Sequence, residues 1–510
     1  MSRSAKVNQV ILIILDDVRA EHLFKWMKEG KLPNISQLAE NGISCQNTVT
    51  SFPSVTLPCY ADIITGSNSG FFPKEGSGVP NYHWIDRTDP PSEKKKPPFI
   101  RNYSERRDVL KINKDIGKHV KTIFEQAGDG NFLSATSFLY RGSTFTTSKE
   151  FKPELILKRI EDIYKNPKEI FSDKEVPKVS VGYIPHTDEL MHEKGFDHPD
   201  YINLVFRCDK FIGSLIKTLK DTGFYESTAI AITSDHGNYK APNLFDLEPF
   251  FKEKGLKPYN PISGSGDFDA NLGGVGFFNF KGDSWFHHPT VNQMKEYNTN
   301  ETSTTKVDLF EILWDIPGVE LMYYKDDNSN SDKGLIHLER RDKKTKKISR
   351  GRIEYYGNGK HQKTKYVFDD EDLFGYVNIE KSSSILDNKT HTIDEWIEAT
   401  YQTNFINLVD QLPRHFKNPR SCDIMVSNTG LYSYNYEHGH TKGISLYSHD
   451  IASRESMLVP LIIGGSLEIP KLELSYCKTT DIVPTLLDLL GEVPHSSVIG
   501  ESILDYKQQE

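Results

Sequence analysis

The chain has 510 residues, enough for a large buried core, and an ordinary globular composition with 37% hydrophobic and 26% charged residues. Its net charge of −9 excludes an extended nucleic-acid surface, which needs a basic excess, but leaves room for a small site that takes an anionic substrate. The five cysteines, Cys45, Cys59, Cys208, Cys422 and Cys477, are scattered and form no C-x-x-C pair. That spacing argues against a disulfide framework and a thiolate zinc site, and suits a reducing compartment.

In chain order, "VILIIL" (Val10–Leu15) comes first. It is apolar on both faces, as a central parallel strand is. It is too short to span a membrane, and two aspartates close it where an export signal has small residues, so a cytoplasmic protein without a membrane segment is expected. A helical pattern follows from about Ala20, and "LPNISQLAENG" reads as a second helix ending at Gly42. "PSVTLPCYADIITG" (Pro53–Gly66) places Thr56 at the mouth of a third helix, where Thr alone reads as an N-cap. The Pro- and Lys-rich stretch from Pro90 to Lys121 reads as a surface loop running into a helix. Further buried-strand candidates are Val179–Ile184, Thr228–Thr233, Cys422–Ser427 and Val459–Gly464. Amphipathic helices lie between them: "HVKTIFEQAG", "YINLVFRCDKFIGSLIKTLKDTG", "FINLVDQLPRHF" and "IVPTLLDLLG". This alternation implies an α/β fold whose mostly parallel central sheet has helices on both faces. Residues 317–382 break it with short strand-like pieces and polar turns, and are expected to form a small antiparallel β insertion or cap within a single 1–510 domain.

Four strand candidates end in oxygen or imidazole donors. "VILIIL" runs into Asp16 and Asp17. Val179–Ile184 leads into "HTDELMH", where Asp188 and His192 stand one helical turn apart. Thr228–Thr233 leads into Asp235-His236-Gly237, and the strand near Cys422 leads toward "YEHGHTKGISLYSHD". Singly, each is an ordinary cap, surface pair or turn. The recurrence is not ordinary, because ligands bind at the carboxyl ends of strands in open parallel sheets. Carboxylate and imidazole donors without thiolate suit zinc, manganese or iron, and their number suits two ions.

These motifs, "ILDDVR", "PSVTLP…ITG", "DELMH", "SDHGN", a late His and a terminal "VPTLLDLLG", occur in the order of the alkaline phosphatase superfamily. The chain most resembles its type I phosphodiesterase/nucleotide pyrophosphatase branch. The resemblance implies one divalent ion, zinc by preference, on Asp188, His192 and His449, and a second on Asp16, Asp235 and His236 completed by the Thr56 oxygen. Asn81 in "GVPNYHWIDR" would donate to the substrate phosphate; it also reads as a turn residue. His449 is selected by "HDIASRESMLVP", which departs from relatives at Asp450 and Ile451, where they have Gly; His438 and His440 of "EHGH" are the alternatives. Cys59 stands where many nucleotide pyrophosphatases have Asn.

The implied reaction is in-line attack by Thr56 on a phosphodiester or nucleotide pyrophosphate, through a phospho-threonine intermediate. The substrate is a small phosphorylated molecule, with nucleotides included. A phosphomonoesterase on the same scaffold is the alternative. A sulfatase fits less well, since the segment lacks the Arg of a C/S-x-P-x-R motif, and a non-enzymatic metal protein leaves the full donor set unexplained. Trp84, Phe277 and Phe278 are open to base stacking or to packing. The basic run Arg340–Arg352 is open to anion binding or to a solvated hairpin. Oligomeric state is not legible.

Overall fold

Six consecutive apolar residues have no polar face to give to water, so the strand they form must be covered on both sides. In the computed structural model this strand is Gln9–Leu15, buried throughout from Val10. Each fully buried Val, Leu or Ile side chain there contributes about 1.5–3 kcal/mol relative to exposure. The structure describes residues 4–71, 75–88, 98–105, 107–135, 138–147, 152–173, 175–299, 306–435 and 445–506. The chain forms two compact units: Met1–Asn68, Ile112–Asn238 and Glu455–Glu510 make the first, and Ser69–Lys111 with Tyr239–Arg454 make the second.

The first unit is built on a nine-stranded sheet. Its order is Leu472–Leu474, Ile43–Val49, Leu458–Gly465, Thr228–Thr233, Gln9–Leu15, Val179–Ile184, Phe132–Ala135 and Phe145–Thr147, with Cys477–Lys478 also pairing Ile43–Val49. Gln9–Leu15 runs parallel to Val179–Ile184 and to Thr228–Thr233, with Leu15 opposite Ile184 and Ile14 opposite Thr233. Three strands therefore end nearly level, and the residues that follow them gather at one edge. Leu458–Gly465 is antiparallel to both of its neighbours, so the sheet is mixed but mostly parallel.

The helices are amphipathic and dock by their apolar stripes. Pro199–Asp221 buries Tyr201, Leu204, Val205, Cys208, Ile212, Leu215, Ile216 and Leu219. Asp209 on this helix is also buried and accepts the backbone N–H groups of Asn34 and Ile35 at 3.1 and 2.9 Å. It thereby caps helix Pro33–Glu40, whose own N-cap residue, Leu32, offers no side-chain acceptor. The expected helix in "HVKTIFEQAG" is a single turn, Ile123–Gln126, closed by a capping box between Thr122 and Glu125.

The second unit contains a seven-stranded antiparallel sheet. Its order is Phe268–Leu272, Val275–Phe280, Ile424–Ser427, Leu321–Lys325, Lys333–Arg341, Ile348–Tyr356 and Lys363–Phe368. Four of these strands come from residues 317–382, and three more join from either side. The run Cys422–Ser427, expected in the parallel sheet, is instead a central strand here, with Met425 opposite Phe277 on one side and Tyr323 on the other. A strand buried on both faces shows no alternation, so its apolar run does not reveal which sheet it joins. Among the described residues, no helix is long and apolar enough to cross a membrane.

Candidate active site

Thr56 is the first residue of helix Thr56–Thr65, not its cap: the N-cap is Val55, which offers no side-chain acceptor. The Thr56 hydroxyl is buried and lies 3.0 Å from Nε2 of His236. Nδ1 of the same ring faces the Gly237 carbonyl oxygen at 3.1 Å. A carbonyl only accepts, so Nδ1 carries the hydrogen and the nitrogen facing Thr56 is the one that titrates. Gly237 is required here, since a Cβ would lie 2.0 Å from the Glu455 carbonyl oxygen.

Asp16, Asp235 and His236 converge from two adjacent strand ends. One ligand atom from each lies within 4.8 Å of the others. His236 Nε2 is 3.6 Å from Asp16 Oδ1 and 3.8 Å from Asp235 Oδ2. Tyr183 donates to the other oxygen of Asp16 and stacks on Tyr60 of the Thr56 helix, ring centroids 4.6 Å apart. Asp235 Oδ1 accepts the backbone N–H groups of Asp17 and His236, at 3.2 and 3.0 Å. Apart from each other, Asp16 Oδ1 and Asp235 Oδ2 have no hydrogen-bond partner among the described residues.

Burial, reinforced by Asp235 and Asp188, raises the Asp16 carboxyl well above the usual range, against the lowering effect of the Tyr183 hydrogen bond. Burial raises Asp235 as well. Burial opposes charging of His236, but Asp235 and Asp17 outweigh it and push the ring up to about 10. The protonated ring and the raised carboxyls together offset the negative charge of the cluster.

A second group lies in the same unit. Asp188 and His192 stand one turn apart on helix His186–Lys194, with His192 Nε2 3.2 Å from Asp188 Oδ1. Ligand atoms of Asp17, Asp188 and His192 lie within 4.8 Å of one another. Asp17 is absent from the site residues carried over by resemblance; its one sequence signal is the doubled aspartate that closes the first strand.

Asn81 and His449 belong to the second unit. Asn81 is buried; its Oδ1 accepts the Tyr82 N–H at 2.7 Å, and its amide nitrogen has no hydrogen-bond partner among the described residues. His449 follows strand Tyr447–Ser448. The next residue, Asp450, has φ 76, a region that favours glycine, and accepts the Gly274 N–H at 2.9 Å. His438 and His440 lie outside the described residues. Cys59 is buried, its thiol aimed at the carbonyls of Ser51 and Pro53 at 3.4 and 3.5 Å. Trp84, Phe277 and Phe278 are buried: guanidiniums of Arg420 and Arg101 lie over the Trp84 ring, and Phe278 packs on Phe251 and Phe280. The basic run Arg340–Arg352 is a hairpin with its own acidic partners, Arg350 on Glu339 and Arg352 on Glu354, each at 3.1 Å.

The profile of the type I phosphodiesterase / nucleotide pyrophosphatase family matches residues 10–316, which include Asp16, Thr56, Asp188, His192, Asp235 and His236. The chain belongs to this family. Among similar family members is an uncharacterised pyrophosphatase/phosphodiesterase of Schizosaccharomyces pombe, 29% identical over 237 residues, a stretch of 45% of this chain and 44% of that one. Rat ectonucleotide pyrophosphatase/phosphodiesterase family member 7 is 25% identical over 248 residues, covering 44% and 51%. The chain spans about half the length of the curated relatives it matches. In fold it is similar to human ectonucleotide pyrophosphatase/phosphodiesterase 5, with a TM-score of 0.58, 14% identity and 97% of each chain covered. An inactive form of the murine protein, solved in complex with AMP, aligns with a TM-score of 0.56, 13% identity and 96% of each chain. The expected alkaline phosphatase-like architecture is the one found.

Proposed function

We propose that this family member is a metal-dependent hydrolase that cleaves phosphodiester or nucleotide pyrophosphate bonds with Thr56 as nucleophile. The observation that carries the reading is the Thr56 hydroxyl held 3.0 Å from His236, inside the group that His236 forms with Asp16 and Asp235. Divalent ions fit this unit. Asp16 Oδ1 and Asp235 Oδ2 come together with no other hydrogen-bond partner among the described residues, and a cation relieves that repulsion where protons otherwise must. Asp16, Asp235 and His236 would hold one ion and Asp188 and His192 the other. By resemblance, His449 belongs to the second ion and the Thr56 oxygen to the first. Carboxylate and imidazole donors suit zinc. When bound, the ions supply positive charge to the entering and leaving oxygens of the displacement.

The remaining chemistry is the chain's own. A Thr hydroxyl is a weak nucleophile, and the partial positive charge at the start of helix Thr56–Thr65 favours its ionised form. The Thr56 hydroxyl rests against Nε2 of His236 at 3.0 Å, beside the donors that would hold the cation. Attack of the Thr56 oxygen on phosphorus breaks the opposite P–O bond and releases the leaving alcohol or phosphate; water then cleaves the resulting phospho-threonine ester, releasing the phosphate monoester and restoring the Thr56 hydroxyl. By resemblance, Asn81 supplies an amide donor for a non-bridging oxygen; its amide nitrogen has no hydrogen-bond partner among the described residues. An amide satisfies the single charge of a diester but brings no countercharge to a monoester dianion. The AMP bound to the murine fold relative makes a nucleotide ester the first substrate to test. We also propose a reducing compartment, since all five cysteines are unbridged and buried.

The test compares kcat/KM for a nucleotide p-nitrophenyl ester and bis-p-nitrophenyl phosphate with that for p-nitrophenyl phosphate, with and without chelator. A diester preference abolished by chelation is expected. A monoester preference of tenfold or more, about 1.4 kcal/mol in transition-state binding, overturns the assignment in favour of a phosphatase.

A further inference from the structure

Asp17 stands in the left-handed region, which aspartate enters more readily than most side chains but still as a single, locally held residue. Its φ is 57, where a side chain costs about 1–2 kcal/mol. Such a residue persists when its surroundings over-determine it. Here they do: its N–H donates to Asp235 Oδ1 at 3.2 Å, and its carbonyl accepts the Tyr201 hydroxyl at 2.9 Å and the Asn238 amide at 3.2 Å. The backbone is clamped on three sides, and the carboxylate is thereby turned toward Asp188 and His192.

The carboxylate itself is fully buried. Oδ1 accepts the Asn238 amide at 2.7 Å and lies 3.7 Å from His236 Nδ1. Oδ2 has no hydrogen-bond partner among the described residues. If Asp17 served only to anchor Asn238, that oxygen would be a desolvated acceptor with nothing to accept, at a cost of about 1–3 kcal/mol. Asp188 brings a second carboxylate to the same place, and His192 stands beside it, 3.2 Å from Asp188 Oδ1. A divalent cation balances both carboxylates and employs the orphaned oxygen.

We propose that Asp17 is a direct carboxylate ligand of the ion held by Asp188 and His192. The proposal rests on the two-ion reading and adds to it a donor that the resemblance does not supply. It makes the donors from the first unit alike for both ions: two carboxylates and one imidazole each. An added carboxylate also hardens this position, raising its tolerance of manganese beside zinc.

The test uses the full chain stripped of metal and titrated with Zn2+, then with Mn2+, in competition with a chromophoric chelator. Asp17→Asn keeps the shape and the bond to Asn238, and Asn tolerates the left-handed backbone. Asp17→Gly removes the carboxylate and relieves the backbone, so a variant that folds is in hand if Asn is not accommodated. The wild type is expected to bind two ions. Each variant is expected to bind one ion at least tenfold more weakly and the other within twofold, and Co2+ substituted at the weakened position is expected to show altered d–d bands. Two ions of unchanged affinity in a folded variant overturn the ligand role of Asp17 and leave the two-ion reading standing. A wild type that binds no divalent ion overturns both.

Discussion

Thr56 Oγ1 and His236 Nε2 lie 3.0 Å apart, and this pair joins the mouth of one helix to the end of a central strand. Because the hydroxyl does not cap its helix, its loss does not remove a cap. Thr56→Ala is therefore expected to cost at most about 1 kcal/mol, the value of one hydrogen bond, while turnover falls to background. Thr56→Ser restores a hydroxyl and is expected to recover part of the activity. Thermal melts and steady-state kinetics on the three proteins check both; an active Thr56→Ala removes the nucleophile from the mechanism.

Metal removal is expected to act on stability as well as activity. Elemental analysis should find two divalent ions per chain, zinc by preference, and a chelator should abolish turnover. A cation at a hundred times its dissociation constant stabilises the folded state by about 2.7 kcal/mol. Stripping therefore lowers the melting temperature by a few degrees, and readdition restores it. A protein without bound metal, indifferent to chelator in both measurements, contradicts the reading.

Much of this was legible in the sequence, for reasons particular residues make plain. Val10–Leu15 announces a strand covered on both faces, and the donors after it and after Thr233 announce the site, because a parallel ladder brings successive strand ends to one edge. Less was legible where two structures give one pattern. The run Cys422–Ser427 is equally apolar in either kind of sheet, and only pairing partners far along the chain decide. Thr56 reads as a cap because it stands at the start of its helix; only the structure shows that Val55 is the cap and that the Thr56 hydroxyl faces the ring of His236. Asp17 was hidden by its neighbour Asp16: the left-handed backbone that turns its carboxylate aside comes from Tyr201, Asn238 and Asp235, none of them local.

The late histidine is testable by comparison. His449→Ala is expected to lose at least a hundredfold in kcat/KM, as a ligand of one ion should, while His438→Ala and His440→Ala stay within a few-fold of wild type. A dead His438 or His440 variant beside an active His449→Ala transfers the role to the "EHGH" segment.

Acid stability should report a buried neutral imidazole in the second unit. His415 is enclosed beside Phe277, with the Cys422 sulfur 3.8 Å from Nε2, and burial pushes its pKa down to about 3. Its unfolded value is about 6.5. A folded pKa below the unfolded one gives stability that is present above pH 6.5 and is lost as pH falls toward 3. One proton is taken up on unfolding in that window, a slope of about 1.4 kcal/mol per pH unit. His415→Leu is expected to flatten the urea-denaturation profile of the unit by about that slope between pH 6 and 4. Equal slopes in the two proteins mean that the ring is charged in the folded state.

Tyr183 provides the last test, because it separates holding a ligand from being one. Its hydroxyl donates to Asp16, and its ring stacks on Tyr60 of the Thr56 helix. Tyr183→Phe keeps the ring and the stack and removes only the donor, so the fold is expected to hold. That donor lowers the pKa of Asp16 against burial and the neighbouring carboxylates. Without it the Asp16 carboxyl rises further, and protons compete better with the cation. Partners that orient metal ligands are typically worth tenfold to a hundredfold in affinity. The variant is expected to bind one ion about tenfold more weakly at neutral pH, with a deficit that grows as pH falls and narrows as it rises. Excess metal should restore kcat while the pH limb of kcat/KM stays displaced upward. If metal affinity and pH profile both match the wild type, Tyr183 serves the packing of Tyr60 alone, and Asp16 is held by its own strand.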